Sequence, residues 1–427
     1  YGGGKGDADH AASVGATLVK LNGTVQVVDG VKTYPDKCVV NGRIFGCNNV
    51  NGSPQDSAIV HIYKTWGEAR TDNDHLHDIN DNNHKYHVRA VYGGGNLASF
   101  VPSDENKNKA KTHVIIDGCG MTSIQTVYGG GNAASTPATQ VDVNGTYEIE
   151  EVFGGGNGKD AIGKDAEGND IPNPGANVGY HAYPDDADYD TRNDLTEAQK
   201  AGEATCYTYG TGEAHVNIYG GLIHRVFGGS NTQGTIGGTI SVNVAKQGDS
   251  DAEGSTDACA LIVDELYGGG NMADSNAGSI TIGCTGDLTD DHSAHPENIG
   301  TTLEGIGTVY GGANQANIGT TETPSPITLN INSGMVANVF GGNNTSGNIN
   351  GTIQVNINKT SEACGWYVGN VFGGGNVAAY SGTPDVNIQA GTVSGSVYGG
   401  GNEAGVGGGD VSMTGGSVLG GVYGGCN

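Results

Sequence analysis

The sequence predicts an all-β fold: a single-stranded parallel β-solenoid of about 25 residues per minimal coil, with loop insertions. Three observations predict it. First, an aromatic-glycine signature, clearest as Val397-Tyr398-Gly399-Gly400-Gly401-Asn402, recurs along the whole chain. Its aromatic residue stands at Phe45, Tyr92, Tyr128, Phe153, Phe227, Tyr267, Tyr310, Phe340, Phe372, Tyr398 and Tyr423, with a partial copy at Tyr1. Second, the intervals have a floor: Tyr128 to Phe153 and Tyr398 to Tyr423 are both 25 residues, while Phe153 to Phe227 is 74. A constant minimum with upward excursions is what one structural turn plus loops produces. Third, two strand patterns fill each interval, so the unit reads as corner, polar loop, alternating strand, turn and second strand.

The corner comes first because it is the most regular part. Five of the chain's 6 Phe fall in it, and its closing asparagine persists at Asn96, Asn132, Asn157, Asn231, Asn271, Asn314, Asn344, Asn376, Asn402 and Asn427. A coil that bends sharply beneath an identical coil calls for positive φ without a Cβ, which glycine adopts freely and asparagine tolerates. Stacked asparagines can also pass amide hydrogen bonds along the axis as a ladder. A phosphate-binding loop is excluded, since that needs a following helix N-terminus, usually with a lysine, and occurs once in a domain.

The alternating strand is clearest in Val216-Asn217-Ile218, Val242-Asn243-Val244, Leu329-Asn330-Ile331, Val355-Asn356-Ile357 and Val386-Asn387-Ile388, whose apolar flanks point inward. Val141-Asp142-Val143, Ile280-Thr281-Ile282 and Val411-Ser412-Met413 fill other turns. The second strand runs apolar, two residues, apolar, aromatic, as from Ile124 to Tyr128. Strict alternation would put its first apolar residue and the ring on one face, unless a corner falls between them.

Composition narrows the class. Gly is 78 of 427 residues without a Gly-X-Y period, which excludes collagen. A net charge of -27 with 6% aromatics would suit a disordered chain, but the periodic Val, Ile and aromatic positions do not. The repeat spans 1–427, so one continuous solenoid is expected, and a dozen coils at about 4.8 Å would make a rod of roughly 55 Å. The chain opens with Tyr1-Gly2-Gly3-Gly4 and closes with Tyr423-Gly424-Gly425-Cys426-Asn427, both inside the repeat, and is read as a processed product or an excerpt. The acidic balance, 46 Asp plus Glu against 19 Lys plus Arg, argues against nucleic acid as a partner. No apolar run is long enough for membrane insertion. Such a solvated surface suits an extracellular or cell-surface location and can collect divalent cations. Eight cysteines allow 105 pairings, among them Cys38 with Cys47 and Cys259 with Cys284, and no Cys-x-x-Cys marks a zinc site.

Insertions enter just after the corner asparagine or between the two strands. An acidic loop, 64–86, carries Asp72, Asp74, Asp78 and Asp81 with three histidines, and those carboxylates are the candidate Ca2+ ligands. The loop lacks the central glycine and closing glutamate of an EF-hand. The largest insertion, 158–213, holds the turn sequence Asp165-Ala166-Glu167-Gly168-Asn169-Asp170, four acidic residues from Asp185 to Asp190, and a short helix capped at Asp194 and ended at Gly202. Asn-Gly-Thr triplets at Asn22, Asn144 and Asn350 read as turns, with glycan attachment the lesser alternative. On the strands only Asp142 and His61 are read as titratable near useful pH, and the other carboxylates are assigned to loops. That pattern disfavours an enzyme, so no catalytic residue is named, and outward Thr-x-Thr rows of the ice-binding kind are absent.

The run of Val/Ile-Tyr/Phe-Gly-Gly-Gly-Asn corners, with Gly154-Gly155-Gly156-Asn157-Gly158 leading to Asn173-Pro174-Gly175-Ala176-Asn177-Val178-Gly179, resembles the long glycine-rich repeat proteins of gut Bacteroidetes. The resemblance covers nearly the whole chain and implies an exported surface molecule, with no catalytic residues to carry over. Cys47 and Cys426 depart from the pattern within corners. The expectation is therefore an extracellular rod forming or belonging to a surface fibre, filament or adhesin. Its partner would be itself, by head-to-tail stacking or as neighbouring coils of a longer chain, or glycans or a host surface. The alternative is a carbohydrate-binding or polysaccharide-cleaving parallel β-helix.

Overall fold

The computed structural model describes residues 1–427 except 8, 24–25, 29–30, 34–37, 67–85, 180, 183–205, 208–209, 247–258, 277 and 287–294. Its described residues wind into eleven coils, each contributing to two parallel sheets. Coils are numbered 1 to 11 by their strands in the first sheet: Thr17–Asn22, Ala58–Lys64, Thr112–Ile116, Thr139–Val143, Ala214–Ile218, Ile240–Val244, Gly278–Ile282, Ile327–Ile331, Ile353–Asn358, Asp385–Ala390 and Asp410–Met413. The aromatic sheet takes, in the same order, Val40–Phe45, Val88–Tyr92, Ser123–Tyr128, Glu148–Phe153, Gly221–Phe227, Leu261–Tyr267, Gly305–Tyr310, Gly334–Phe340 and Trp366–Phe372. Coils 10 and 11 each contribute two short strands, ending in Val397–Tyr398 and Val422–Tyr423. Coils pair in sequence order in both sheets, and the register matches like with like: Val216 on Val242, Asn217 on Asn243, Phe227 on Tyr267.

A third side closes the coil. In several coils the polar loop after the corner sends one residue inward through single parallel bridges, Thr136 to Val178 to Ile236, and Ser275 to Ile318 to Ile349. Val178, Ile236 and Ile318 are fully buried and join the main apolar core. Sequence alone treats this stretch as polar loop because one inward residue per coil leaves no period to detect. The core is thus a prism of Val, Ile and Leu, buried only against the coils above and below.

The second strand bends where strict alternation would have run on. Ile124 and Val127 both enter the prism core, whereas Tyr128 belongs to a separate cluster made of the corner rings. The two residues between the apolar positions supply the kink, so the corner alternative is the one realised.

The corner glycines also serve a purpose different from the one expected. None of the described corner glycines has positive φ; the glycines that do lie in turns and loops or open a strand, as Gly221 and Gly334 do. Glycine is required there by close approach. A Cβ on Gly46, Gly93, Gly129, Gly154 or Gly228 would stand 2.2–2.4 Å from the first corner carbonyl of the following coil. Those carbonyls sit so near because Gly93 N–H donates to Tyr128 O and Gly154 N–H to Phe227 O, extending the sheet ladder around the bend. Asn343 replaces the third glycine of its corner and turns inward, fully buried, accepting from Ala313 N–H and donating to Ala316 O.

The insertion expected over 158–213 is divided. Gly163–Lys164 and Asp170–Ile171 pair as an antiparallel hairpin, with Asp165 accepting backbone N–H groups of Glu167 and Asn169. The chain then returns to the rod at Asn173, Ala176 and Val178, all buried, before leaving again. The helix read from Asp194 to Gly202 lies outside the described residues.

Among the described residues two disulfides run along one edge, and neither of the two pairings named as possibilities from the sequence forms. Cys119 bonds Cys259 and Cys284 bonds Cys364, while Cys38, Cys47 and Cys426 are free. The reason is geometric: residues far apart in sequence meet when loops of different coils leave the rod at the same edge. Cys119 in coil 3 reaches Cys259 in coil 6 across the tight turns of coils 4 and 5, where a Cβ on Gly145 would lie 3.1 Å from Cys259 Sγ and one on Gly220 2.6 Å from Cys259 Cβ. Cys47 Sγ is buried against Gly93 O, and burial pushes its thiol pKa well up.

Candidate functional site

Each coil brings its aromatic ring and closing asparagine to the same angular position, so the corners form two axial columns. Twelve rings, from Tyr1 and Phe45 through Tyr92, Tyr128, Phe153, Phe227, Tyr267, Tyr310, Phe340, Phe372 and Tyr398 to Tyr423, stack with adjacent centroids 4.6–5.1 Å apart and planes within 15°. Offset stacking of this kind adds about 0.5–1.5 kcal/mol per pair beyond area burial.

Beside the rings the asparagines form an unbroken ladder. Nδ2 of Asn96 donates to Oδ1 of Asn49, and the pattern repeats through Asn132, Asn157, Asn231, Asn271, Asn314, Asn344, Asn376, Asn402 and Asn427 at 2.8–3.1 Å. Every amide in the series donates toward the N-terminal end. The columns are tied together: Asn157, Asn231 and Asn344 donate to the hydroxyls of Tyr92, Tyr128 and Tyr267, each two coils earlier. Burial holds the Tyr92 hydroxyl up at a pKa of about 12 and that of Tyr128 well above its ordinary value.

A second polar column runs down the outer face of the first sheet. Asn217 donates to Asp142 Oδ1 at 2.7 Å, Asn243 to Asn217 at 2.9 Å, Asn356 to Asn330 at 2.9 Å and Asn387 to Asn356 at 3.2 Å. In coils 2–4 the same face sets histidines against carboxylates: His61 meets Asp117 at 2.5 Å, and His113 meets Asp142 at 2.6 Å. Burial works against the Asp142 carboxylate, but hydrogen bonds from His113, Asn217 and Gln140 outweigh it and hold its pKa below the usual range. Asn144 donates to Asp117, which gives this Asn-Gly-Thr triplet an internal role.

The titratable groups are not confined to Asp142, His61 and the loops. The aromatic sheet carries Glu148, Glu151, His224, Arg225, Asp264 and Glu265 on coils 4–6. His224, nearly buried, lies 2.6 Å from Asp264 through Nδ1 and 2.9 Å from Glu148 through Nε2. Burial alone would lower its pKa; the two carboxylates, as hydrogen-bond acceptors and as charges, overcome that and raise it to about 9. The ring is therefore an imidazolium donating to both, and it joins three coils. Next to it Arg225 pairs with Glu151 at 2.8 Å; burial nevertheless raises the Glu151 pKa, against the pull of Arg225. These positions escape the sequence because the second strand has no clean alternation to mark which residues face out. Their signal is the cluster of charges within otherwise neutral strands.

The Ca2+ candidates Asp72, Asp74, Asp78 and Asp81 lie outside the described residues, as do the acidic residues from Asp185 to Asp190. Among the described residues no group of three or more His, Cys, Asp or Glu is placed to hold a metal ion. No family model matches this chain, and no curated protein and no solved structure matches it either.

Proposed function

We propose that this chain is a rod-shaped structural element of an extracellular or cell-surface fibre, lengthened by further coils set on its ends. The reading is supported above all by the axial columns, which run through every coil. Tyr1 and Tyr423 each stack on one neighbour and are about half exposed, 52% and 50%. Leu18 in the first coil and Leu419 and Val422 in the last are also exposed. The strands Thr17–Asn22 and Asp410–Met413 have one paired edge each, and unpaired edges invite another strand. A heterologous contact that repeats without closing gives an open filament.

The cover would come from more coils of a longer chain or from another copy stacked head to tail. Two disulfides favour an oxidising compartment, and the likeness of the corners to exported glycine-rich repeat proteins points the same way. The test is electron microscopy and sedimentation of residues 1–427 over a range of concentrations, with and without Ca2+. Head-to-tail stacking predicts fibres that lengthen with concentration and are abolished by Tyr423→Lys. Short monodisperse rods under every condition would refute it.

A further inference from the structure

The protein carries a net charge of -27, yet one strip of its surface carries almost none. On the first sheet, the side chains pointing outward in coils 5–9 are His, Asn, Gln, Ser and Thr, among them Asn217, Ser241, Asn243, Thr281, Asn330 and Asn356. Not one is Asp, Glu, Lys or Arg. Each keeps part of its surface in solvent, while the alternating Val, Ile and Leu residues are buried. The strands pair in strict register, so the outward residues form two straight rows repeating at about 4.8 Å. The ladder bonds orient the amides in advance: Asn217 and Asn356 each spend one N–H on the preceding coil and retain the other.

Three kinds of occupant can be compared. An anionic polymer is repelled by the overall charge. A second copy laid face to face would cover five coils by one strand length, about 24 by 16 Å, or roughly 800 Å² for both partners together, short of the ~1,200 Å² of stable complexes. A neutral polymer rich in hydroxyls meets neither obstacle. It is repelled by nothing, is thin enough for the strip, and presents donors and acceptors repeatedly to rows that do the same. From this we infer that the first-sheet face of coils 5–9 is a docking strip for an uncharged polysaccharide chain lying along the rod axis. The inference uses the sheet face alone and does not depend on assembly through the ends, so either can fail without the other.

The experiment is a pull-down of residues 1–427 on insoluble cellulose, chitin, β-glucan and starch granules, with affinity electrophoresis in alginate as the anionic counterpart. Retention is expected on at least one neutral glycan, with no loss in high salt because no charges are screened, and no retardation by alginate. The S241D/N330D variant puts two carboxylates on the strip while still accepting from Asn356, as Asp142 already accepts from Asn217. It should weaken binding at least tenfold with its thermal midpoint unchanged, and the neutral S241T/N330T variant should bind as the parent does. The proposal is overturned if no neutral glycan retains the protein, or if S241D/N330D binds as well as the parent. It is equally overturned if the strip instead forms a dimer that S241D/N330D dissociates.

Discussion

His224 makes the rod sensitive to pH. Its pKa near 9, against about 6.5 when unfolded, means that protonation favours the folded state. That contribution is complete below about pH 6.5 and disappears as pH rises through about 9. Thermal melts of the parent should therefore lose stability between about pH 6.5 and pH 9, and His224→Gln should flatten that slope. The same substitution should cost about 3–5 kcal/mol at neutral pH, because Glu148 and Asp264 lose the cation between them. Equal slopes in both proteins would remove His224 from the account.

The corner glycines give a second prediction at this scale. Gly154→Ala places a Cβ 2.2 Å from Gly228 O, whereas Gly405→Ala meets nothing within 4 Å. The first should cost about 1–3 kcal/mol in a denaturant melt, the usual penalty of overpacking, and the second close to nothing. Sequence showed that glycine was needed at the corner; the reason, a carbonyl pressed in from the next coil and not a left-handed backbone, appears only once the coils are stacked.

At the scale of elements, the alternating strand was the most legible, since Val216-Asn217-Ile218 and its relatives carry their faces in their spacing. The second strand was half legible, because its kink between Ile124 and Val127 breaks the period that shows which side a residue faces. Disulfide pairing could not be read at all. Cys119 and Cys259, 140 residues apart, meet only because their loops share an edge. Peptide mapping under non-reducing conditions should recover Cys119–Cys259 and Cys284–Cys364, and neither Cys38–Cys47 nor Cys259–Cys284. Replacing Cys119 and Cys259 together by serine should destabilise the rod by about 2–4 kcal/mol.

For the whole molecule, stability should be close to a sum over neighbouring coils, with the ends weakest. The middle of the rod is doubly held, by the disulfides and by His224. Hydrogen exchange should therefore proceed inward, with the amides of coils 1 and 11 exchanging first and those of coils 4–6 last. Uniform protection along the rod would contradict that. The parallel solenoid winding was visible in the spacing of the repeat, but the third side of the prism was not, because a single inward residue such as Val178 or Ile318 leaves too little pattern.

The rod exists only if each aromatic-glycine corner lies directly over the one before it. A crystal structure of residues 1–427 tests this most directly. The account predicts Tyr92, Tyr128, Phe153 and Phe227 in one column, with neighbouring ring centroids 4.6–5.1 Å apart and Asn96, Asn132, Asn157 and Asn231 hydrogen-bonded in series beside them. Rings dispersed among unlike surroundings, or a chain divided into separate globules, would contradict it.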